Sequence, residues 1–493
     1  MLQGFDRLVV VSNRLPIVLN QVEGEWKVSP GSGGLVTALA PIMREKGGIW
    51  IGWPGATELE GVSGPLQKFS SEQGYTLHPV ILAEEDIHGF YYGFSNEVLW
   101  PLFHEFQVRC NFDPEYWQRY LKVNKDYARG IAEASRDSDY VWVHDYHLLC
   151  VAEQLKKMGV ERQCGFFLHI PFPAADIFLK LPWRRQIMAA LLEYDLVGFQ
   201  TYQDRRNFVQ ALQYLCRDVS LEGSGPLITV SCGDRTVRAG CFPISIDFDE
   251  FASMAATKEV TRRMASLSRL HPERQVILGV DRLDYTKGIP QCLDAMHMAL
   301  KKYPELRGNI SLLQVVVPSR EGVEEYKILK EEIERKVGQI NGLFSRPGWI
   351  PIHYMYRSLP RKELISFYLA SDMALITPLR DGMNLVAKEY CACNYTKDGV
   401  LFLSEFAGAA AQLYNDAILI NPHDVEGVAE AIRTGYFMRV EERRERMSNM
   451  RRLIKEYDIY WWLDTFLQAA ANIPIKDFPQ IETFKYLTKI DEL

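Results

Sequence analysis

Short apolar runs recur along the whole chain, and each is about as long as a buried strand. Continuous runs of this kind predict strands that are covered on both faces of a sheet. The clearest runs are Leu8–Ser12, Ile49–Trp53, Tyr140–Val143, Phe166–Ile170, Val276–Val280, Ile310–Val317 and Met373–Thr377. Segments with the apolar spacing of amphipathic helices lie between them. This alternation predicts an α/β fold with two doubly wound, Rossmann-like parallel sheets.

The length of 493 residues exceeds what one ordinary hydrophobic core supports, so two domains are expected. The sequence changes from apolar strand to polar helix near residues 243–260, which places the boundary there. We therefore predict an N-terminal domain over residues 1–243 and a C-terminal domain over residues 244–456. The amphipathic, aromatic segment that begins at Tyr457 suits a domain junction, so residues 457–493 are predicted to cross back onto the N-terminal domain.

Composition narrows the class of protein. Apolar residues make up 47% and charged residues 24% of the chain, as in a globular protein. The net charge of −7 disfavours nucleic acid as the main partner. No apolar run is long enough to span a bilayer, and the N-terminus lacks a signal-peptide pattern. Nine cysteines without metal-ligand spacing favour buried, reduced thiols in a cytoplasmic enzyme. The oligomeric state, including a homo-oligomer, stays open.

Polar side chains follow the predicted strands at the points where the strands end. They are Arg14, Asp145, His169, Arg282 with Lys287, Arg320, and Asp381 with Glu389. Doubly wound sheets bind ligands beyond the carboxyl ends of their strands, so these side chains converge if two sheets face each other across a cleft. The set is rich in cations and contains no Ser-His-Asp arrangement. It therefore predicts a site for two phosphorylated ligands.

Residues 371–394 combine a short strand, a turn that contains Gly382, and a predicted helix from Asn384 to Cys393. The free N–H groups and the positive dipole end of such a helix bind anions, phosphate in particular. Glu389 lies about two turns into this helix. Its carboxylate there can accept hydrogen bonds from a diol such as that of ribose. The alternative is an ordinary strand-to-helix unit with a solvated Arg-Asp turn.

The glycines Gly31, Gly33 and Gly34 precede a predicted helix, which resembles a dinucleotide-binding fingerprint. Val36 takes the place of the last glycine, and about fifteen residues separate the strand from the glycines, whereas the Rossmann turn is tight. On these two grounds we reject a nicotinamide site.

The pair His144 and His147, with Asp145 between them, is a second pattern that suggests a ligand. Two histidines and no placed third ligand are weak support for a metal site. No metal is predicted here.

Seven short segments contain residues that the alternation of strands and helices alone does not explain. They are VSNR at 11–14, GSGGL at 31–35, GW at 52–53, HDYHL at 144–148, HIPFP at 169–173, DRLDYTKG at 281–288 and LRDGMNLVAKEY at 379–390. In this order they resemble the trehalose-phosphate synthase family of retaining glycosyltransferases, over about residues 7–470. The resemblance implies the GT-B fold, in which two facing Rossmann-like domains hold the active site in the cleft between them. The loop between Arg14 and Gly31 is longer than in the short bacterial members.

The resemblance also implies a role for each matched residue. The glucose 6-phosphate site corresponds to Arg14, Trp53, Tyr91, Asp145 and Arg320. The nucleotide-sugar site corresponds to Gly34, Arg282, Lys287, Leu359, Asp381, Gly382, Met383, Asn384, Leu385 and Glu389. The residues implied in catalysis are Arg282, Lys287, His169 and Asp145. Within these sets, Glu389 corresponds to the contact with the ribose hydroxyls, the Leu359 backbone to the uracil contact, and His169 to a position beside the donor glucose. No metal and no cofactor is implied.

The implied reaction transfers glucose from UDP-glucose to glucose 6-phosphate and gives α,α-trehalose 6-phosphate and UDP. One alternative is a related transferase with another phosphorylated acceptor, such as glycerol 3-phosphate, which would give glucosylglycerol phosphate. Another is a non-catalytic paralogue that senses sugar phosphate, although such a protein should have lost cations that this chain keeps. A hydrolase using Asp381 and Glu389 is disfavoured, because the two residues lie on a turn and a helix and are not expected to flank one bond. The donor base (UDP, ADP or GDP) stays open.

Overall fold

Residues 4–22, 25–31, 34–268, 274–320, 323–396, 398–475 and 478 are described by a computed structural model of the chain. These residues divide into two units. The first unit holds the chain up to Ile244 together with the segment that starts at Tyr460, and the second holds Ser245–Ile459. Of the glycine-rich segment at the first predicted helix, Gly33 lies outside the described residues.

The first unit is built on a sheet that has nine strands within the described residues, and a separate hairpin accompanies it. The strands are β1 (Arg7–Arg14), β2 (Ile17–Val22), β3 (Glu25–Pro30), β4 (Ile49–Trp53), β5 (Thr76–Pro79), β6 (Asp139–His144), β7 (Gln163–Phe167), β8 (Leu196–Phe199), β9 (Val219–Glu222), β10 (Leu227–Cys232) and β11 (Arg235–Cys241). Their order in the sheet is β5-β4-β1-β6-β7-β8-β11-β10-β9, and β2 pairs with β3.

Helices cover this sheet. They are α1 (Gly34–Lys46), α2 (Ser63–Gln73), α3 (Glu84–Asp86), α4 (Trp100–Phe103), α5 (Pro114–Ala134), α6 (Val151–Lys157), α7 (Ala175–Phe178), α8 (Arg184–Leu191) and α9 (Tyr202–Leu215). A π-helical segment, Ile87–Leu99, leads into α4, and 3₁₀ turns occupy Gln107–Arg109 and Tyr146–Leu148.

The second unit is built on a sheet whose six described strands are all parallel. They are β12 (Gln275–Arg282), β13 (Ile310–Val317), β14 (Ile352–Tyr356), β15 (Met373–Ile376), β16 (Val400–Ser404) and β17 (Ile418–Ile420), in the order β14-β13-β12-β15-β16-β17. The helices are α10 (Phe248–Ala255), α11 (Lys258–Ser268), α12 (Ile289–Lys302), α13 (Glu324–Phe344), α14 (Arg361–Ala370), α15 (Leu385–Cys393), α16 (Ala410–Leu413), α17 (Val425–Phe437) and α18 (Val440–Glu456). Turns of 3₁₀ type lie at Tyr285–Lys287 and Pro304–Leu306.

The central strands are buried on both faces because helices cover both sides of each sheet. Val9, Val10 and Val11 of β1 are each 0% exposed, and seven of the eight residues of β13 are buried. The continuous apolar runs of the sequence arise from this double burial. The strands predicted at Ile49–Trp53 and Ile310–Val317 are confirmed with the same bounds.

The last helix, α19 (Ile459–Ala470), contributes aromatic rings to the core of the first unit. Trp142 of β6 stacks on Trp462 and Phe466, with ring centroids 4.9 Å and 4.3 Å apart. Offset stacking of this kind adds to the gain from burying apolar area. The C-terminal segment therefore helps to hold β6, the strand that carries His144.

The prediction of wholly parallel sheets is wrong for one edge of the first sheet. Beyond β11, strands β10 and β9 pair antiparallel. Most of their residues are partly or fully exposed, so they lack the continuous apolar run that marked the other strands. The β2–β3 hairpin, which lies in the long polar insertion after Arg14, was missed for the same reason.

The prediction that the cysteines are reduced thiols is wrong for two of them, since Cys216 and Cys232 form a disulfide. Cys216 follows α9 and Cys232 ends β10, and their Cα atoms are 6.4 Å apart. That separation is within the usual range for a disulfide. The approach depends on how the fold brings the end of α9 to the end of β10, which residue spacing does not reveal. Cys150, Cys164 and Cys241, by contrast, are buried free thiols.

None of the described helices combines the length and the apolar character needed to cross a bilayer.

Gly288 provides a test of how the second unit is packed. Its φ is 65°, and a Cβ added there would lie 2.0 Å from the carbonyl oxygen of Thr377. Gly288→Ala should therefore lower the free energy of unfolding by about 2–4 kcal/mol, through backbone strain and the clash together. Gly338→Ala in α13 is the control, because no atom lies within 4 Å of its added Cβ. Equal denaturant-unfolding midpoints for the two variants would contradict this packing.

Candidate active site

Both large sheets reverse their strand order next to the first strand of the unit. The reversal lies between β1 and β6 in the first sheet and between β12 and β15 in the second. Open α/β sheets bind ligands beyond the strand ends at such switch points. Arg14 ends β1 and Asp145 directly follows β6, while Arg282 ends β12 and Asp381 lies in the loop after β15. The structure thus places predicted site residues on both sides of each switch point.

In the first unit, a cavity of about 630 Å³ lies at the switch point. Arg14, Gly31, Asp145 and His147 are among the residues that line it. An arginine and a carboxylate at one cavity suit a ligand that carries both a phosphate and hydroxyl groups.

Trp53 supports Arg14. The guanidinium carbon of Arg14 lies 4.0 Å from the centroid of the Trp53 ring, a cation–π contact. The indole is 5% exposed, and its Nε1 donates to the Ala56 carbonyl at 2.8 Å. A Cβ at Gly55 would lie 2.3 Å from Arg14 Nη1, so the missing side chain makes room for the guanidinium. One face of the Trp53 ring, a residue that the resemblance assigns to the glucose 6-phosphate site, is thus covered by Arg14.

Asp145 holds a conformation that is unusual for a residue other than glycine. Its φ is 75°, and strained backbone of this kind is concentrated at functional sites. Its N–H donates to the Phe167 carbonyl at 2.8 Å, and its Oδ1 accepts from the backbone N–H of His169 at 3.2 Å. Two residues predicted to act in catalysis, Asp145 and His169, are therefore directly bonded. Tyr91, in the π-helical segment, stacks on His147 with ring centroids 5.9 Å apart.

His144 and His147 contact different side chains, although both line the cavity of the first unit. His144 Nδ1 lies 3.1 Å from His169 Nε2, whereas His147 packs against Tyr91 and Phe90. Burial lowers the pKa of His144 well below its usual value and that of His169 to about 3. Both rings are therefore neutral at physiological pH. Within the described residues, no group of three His, Cys, Asp or Glu side chains is placed to hold a metal ion.

In the second unit, an ion pair joins the loops that flank the switch point. Lys287 Nζ lies 2.6 Å from Asp381 Oδ2, and Asn384 Nδ2 donates to the same oxygen at 3.2 Å. The Leu379 N–H also donates to the Thr286 carbonyl at 2.7 Å. Lys287 and Asp381, predicted separately from two motifs, thus form one cluster, and exposed Arg282 ends β12 just before the loop that carries Lys287.

Asp284 organises the loop after β12, and sequence reasoning did not identify it as a site residue. Its Oδ1 accepts from the N–H and the hydroxyl of Thr286, both at 3.0 Å, and its Oδ2 lies 3.9 Å from Arg320 Nη1. Burial alone would raise the pKa of Asp284, but Arg320, Arg282 and Lys287 outweigh it and hold the pKa below its ordinary value. Arg320, at φ 49°, also donates to the Tyr326 hydroxyl. Its guanidinium is therefore fixed on two sides.

The start of α15 is held by the segment that follows β16. The N–H groups of Gly408 and Ala409 donate to the carbonyls of Asp381 and Met383, at 3.2 Å and 2.7 Å. Asn384, at φ 78°, caps the helix by accepting from the Ala387 N–H at 3.2 Å. A capped helix start of this kind presents the N–H groups of its first turn to an anion.

Gly408 is a second residue that sequence reasoning missed. An added Cβ there would lie 1.9 Å from the Gly382 carbonyl, so only glycine allows the two segments to approach. The available signal was a glycine flanked by alanines in the stretch 405–411.

Glu389 lies in α15, facing a tyrosine of α14. Its Oε2 accepts from the Tyr368 hydroxyl at 2.7 Å. Burial raises the pKa of Glu389, while the Tyr368 hydrogen bond and Arg361 act in the opposite sense. The neighbouring Lys388 is buried, donates to Gln412 at 2.7 Å, and has its pKa lowered by burial to about 7.

The remaining residues predicted to bind the nucleotide-sugar donor lie at or near the ends of helices and strands. Gly34 is the first residue of α1, Leu385 is the first residue of α15, and the half-buried Leu359 lies between β14 and α14. Gly34 belongs to the first unit, whereas the other predicted donor residues belong to the second.

Asp281 gives a pH-dependent test of this charge cluster. Burial raises its pKa to about 8, and the lowering effect of Lys287 does not cancel that of burial. The folded chain therefore keeps a proton that the unfolded chain loses near its ordinary pKa, so this group lowers stability as pH rises to about 8. Asp281→Asn cannot ionise. Its stability relative to the parent should increase between about pH 5 and pH 8, by at most about 1.4 kcal/mol per pH unit.

Thermal unfolding of parent and variant across this range measures the effect. Asp249→Asn is the control, because its carboxylate is 77% exposed and lies outside the cluster. A difference for Asp281→Asn that does not change with pH would show that this carboxyl is already ionised in the folded chain.

Comparison with known proteins places this geometry in a family. The sequence profile of glycosyltransferase family 20 matches residues 6–472. The trehalose-6-phosphate synthase of Mycobacterium leprae is 43% identical over 484 residues, which cover 96% of this chain and 96% of that protein.

Solved structures agree with this. An α,α-trehalose-phosphate synthase (UDP-forming) from Burkholderia xenovorans, in complex with glucose-6-phosphate, gives a TM-score of 0.85 at 34% identity and covers 94% of this chain and 100% of its own. The E. coli structure of trehalose-6-phosphate bound with UDP-2-fluoro glucose gives a TM-score of 0.84 at 36% identity, with 95% and 99% covered. The predictions of a GT-B fold with two Rossmann-like domains and of a glycosyltransferase are confirmed. Because the family profile spans nearly its whole length, the chain belongs to glycosyltransferase family 20.

Proposed function

We propose that the chain transfers glucose from UDP-glucose to glucose 6-phosphate with retention of configuration, giving α,α-trehalose 6-phosphate and UDP. The first unit supplies most of the acceptor-binding residues, and the second supplies most of the donor-binding residues. A relative that matches nearly the whole chain is a trehalose-6-phosphate synthase, and the similar structures include a UDP-forming synthase in complex with glucose-6-phosphate and one bound with UDP-2-fluoro glucose.

One observation carries the proposal: each switch point is flanked by groups with the chemistry that its ligand needs. In the first unit, Arg14 and Asp145 line one cavity. In the second, Lys287 and Asp381 form an ion pair beside the capped start of α15. A phosphorylated sugar suits the first arrangement, and a nucleoside diphosphate sugar suits the second.

The donor diphosphate binds where positive charge and free N–H groups meet. Arg282 and Lys287 neutralise its oxygens, and the N–H groups at Gly382–Leu385 add the dipole of α15. Glu389 receives the ribose hydroxyls, and the backbone at Leu359 contacts the base. The Tyr368 hydroxyl, bonded to Glu389 at 2.7 Å, keeps that carboxylate in one orientation.

The acceptor is held by its phosphate and oriented by its hydroxyls. Arg14, braced on Trp53, and Arg320, braced on Asp284, bind the phosphate. Asp145 accepts from a sugar hydroxyl, and Tyr91 packs on the ring. Binding energy from the phosphate, which does not react, is thereby used to orient the hydroxyl that does.

The bond between glucose and the diphosphate breaks through an oxocarbenium-like state. The departing diphosphate oxygen takes the proton of the acceptor hydroxyl, and that hydroxyl oxygen bonds to the anomeric carbon on the face that the diphosphate leaves. Negative charge grows on the diphosphate, so Arg282, Lys287 and the α15 N-terminus stabilise the transition state more than the ground state. Neutral His169 lies beside the sugar without placing a positive charge next to the developing cation.

A matrix of substrates tests the proposed function. The protein is incubated with UDP-, ADP- or GDP-glucose and with glucose 6-phosphate or glycerol 3-phosphate, and nucleotide release and product are measured. Release that requires UDP-glucose and glucose 6-phosphate together supports the proposal. Nucleotide release only when glycerol 3-phosphate is the acceptor would replace the proposal with the glucosylglycerol phosphate reaction. No release from any pair of donor and acceptor would indicate a sensing paralogue.

Lys287→Ala should lower kcat about 100-fold or more, because one group that stabilises the leaving diphosphate is lost. Lys336→Ala is the matched control: it removes another 2.6 Å ion pair, with Asp294, away from the proposed site. Steady-state kinetics of both variants are compared with the parent. A kcat for Lys287→Ala equal to that of Lys336→Ala would remove Lys287 from the mechanism.

Arg320→Ala should mainly raise the KM for glucose 6-phosphate, by about 10- to 100-fold, since a charge-assisted contact to the phosphate is lost. Arg320→Lys keeps the charge beside buried Asp284 and should recover only part of the affinity. Arg335→Ala, on α13 and bonded to Gln339, is the control. If the KM for UDP-glucose rises instead, Arg320 belongs to the donor site.

A further inference from the structure

His144 and His169 contact each other through their ring nitrogens in the first unit. His144 is the last residue of β6 and is 0% exposed, and its Nδ1 lies 3.1 Å from His169 Nε2. Trp142 and Trp462 pack around the His144 ring, with centroids 4.6 Å and 6.5 Å away. The resemblance to the family implies a role for His169 beside the donor glucose, but it implies none for His144.

Only one of the two nitrogens in contact, His144 Nδ1 or His169 Nε2, can carry the proton of a hydrogen bond between them. Both rings are neutral because burial lowers both pKa values. A neutral imidazole carries a proton on one nitrogen and a lone pair on the other. A hydrogen bond between the two rings therefore requires one ring to donate and the other to accept.

The surroundings of His144 Nε2 indicate which of the two rings donates the hydrogen bond. Its Nε2 is buried and has no hydrogen-bond partner within the described residues. An orphaned buried N–H is rarer than an under-satisfied acceptor, so the His144 proton belongs on Nδ1, where His169 can accept it. His169 Nε2 then carries the lone pair, and the proton of His169 lies on Nδ1.

We propose that His144 is a positioning residue for His169: it donates Nδ1–H to His169 Nε2, fixing the orientation of that ring and leaving its proton on Nδ1. The inference rests on the proposed function, in which His169 lies beside the donor glucose. His169 is half-buried. It offers the sugar a neutral N–H donor of fixed tautomer.

Two substitutions at His144 separate positioning from packing. His144→Asn keeps an amide N–H near the Nδ1 position, whereas His144→Gln moves the amide toward the Nε2 position. The Asn variant should stay within about threefold of the parent kcat, and the Gln variant should fall roughly tenfold, as expected for one lost hydrogen bond. Melting temperatures of the two should fall by similar amounts, since both leave space in the same aromatic pocket.

His104→Asn is the matched control. His104 is also buried, and its Nδ1 lies 2.8 Å from the Trp100 carbonyl. The same substitution there should leave kcat and both KM values unchanged. Equal kcat values for His144→Asn and His144→Gln would overturn the proposal.

The tautomer is measured independently of glucose transfer. Ring ¹⁵N labelling of the ten histidines, with the His169 signal assigned by its loss in His169→Asn, reports which nitrogen carries the proton. A protonated Nδ1 on His169 in the parent, moving toward a tautomer mixture in His144→Gln, supports the proposal. A protonated Nε2 in the parent overturns it. If the parent transfers no glucose, the proposed function fails while this spectrum still decides the contact.

Discussion

The ion pair between Lys287 and Asp381 spans the switch point of the second sheet, and the donor half of the proposed site depends on it. Gly288 packs against the Thr377 carbonyl beside it, which brings the two loops close enough for the pair to form at 2.6 Å. Parallel strands whose order reverses leave two neighbouring loops open at their carboxyl ends. Here those loops carry opposite charges, so their contact holds the cation in place before a diphosphate arrives. Asn384 shares the same Asp381 oxygen and connects the pair to the helix start.

Burial affects the charge of ionisable side chains differently in the two units. In the first unit, desolvation keeps His144 and His169 neutral. In the second, desolvation raises the pKa of Asp281, while surrounding cations keep Asp284 ionised. Positive charge is thus concentrated where a leaving diphosphate would gain negative charge. The group proposed to lie beside the sugar is uncharged, which avoids opposing an oxocarbenium-like state.

The sequence predicted features that depend on local pattern, and it missed those that depend on distant neighbours. Doubly buried strands appear as continuous apolar runs, and a site at their carboxyl ends can be inferred from the residues that follow, as with Asp145 and Lys287. The run FFLHI predicted a strand to Ile170, yet β7 ends at Phe167. His169 therefore lies beyond the strand, where its ring can meet His144. Side-chain pairings such as this one, like the disulfide, require the packed fold.

Discrimination between acceptors cannot rest on the phosphate contacts, because glucose 6-phosphate and glycerol 3-phosphate both carry a phosphate that Arg14 would bind. It must come from groups that contact the remainder of the acceptor. Trp53 is engaged by Arg14 and by the Ala56 carbonyl, so it contributes through the position of the guanidinium. In the proposed function, Asp145 and Tyr91 are the residues that contact the hydroxyls and the ring of the acceptor. The strained backbone of Asp145 would serve this proposed role, since a carboxylate held in one place rejects an acceptor that lacks the matching hydroxyl.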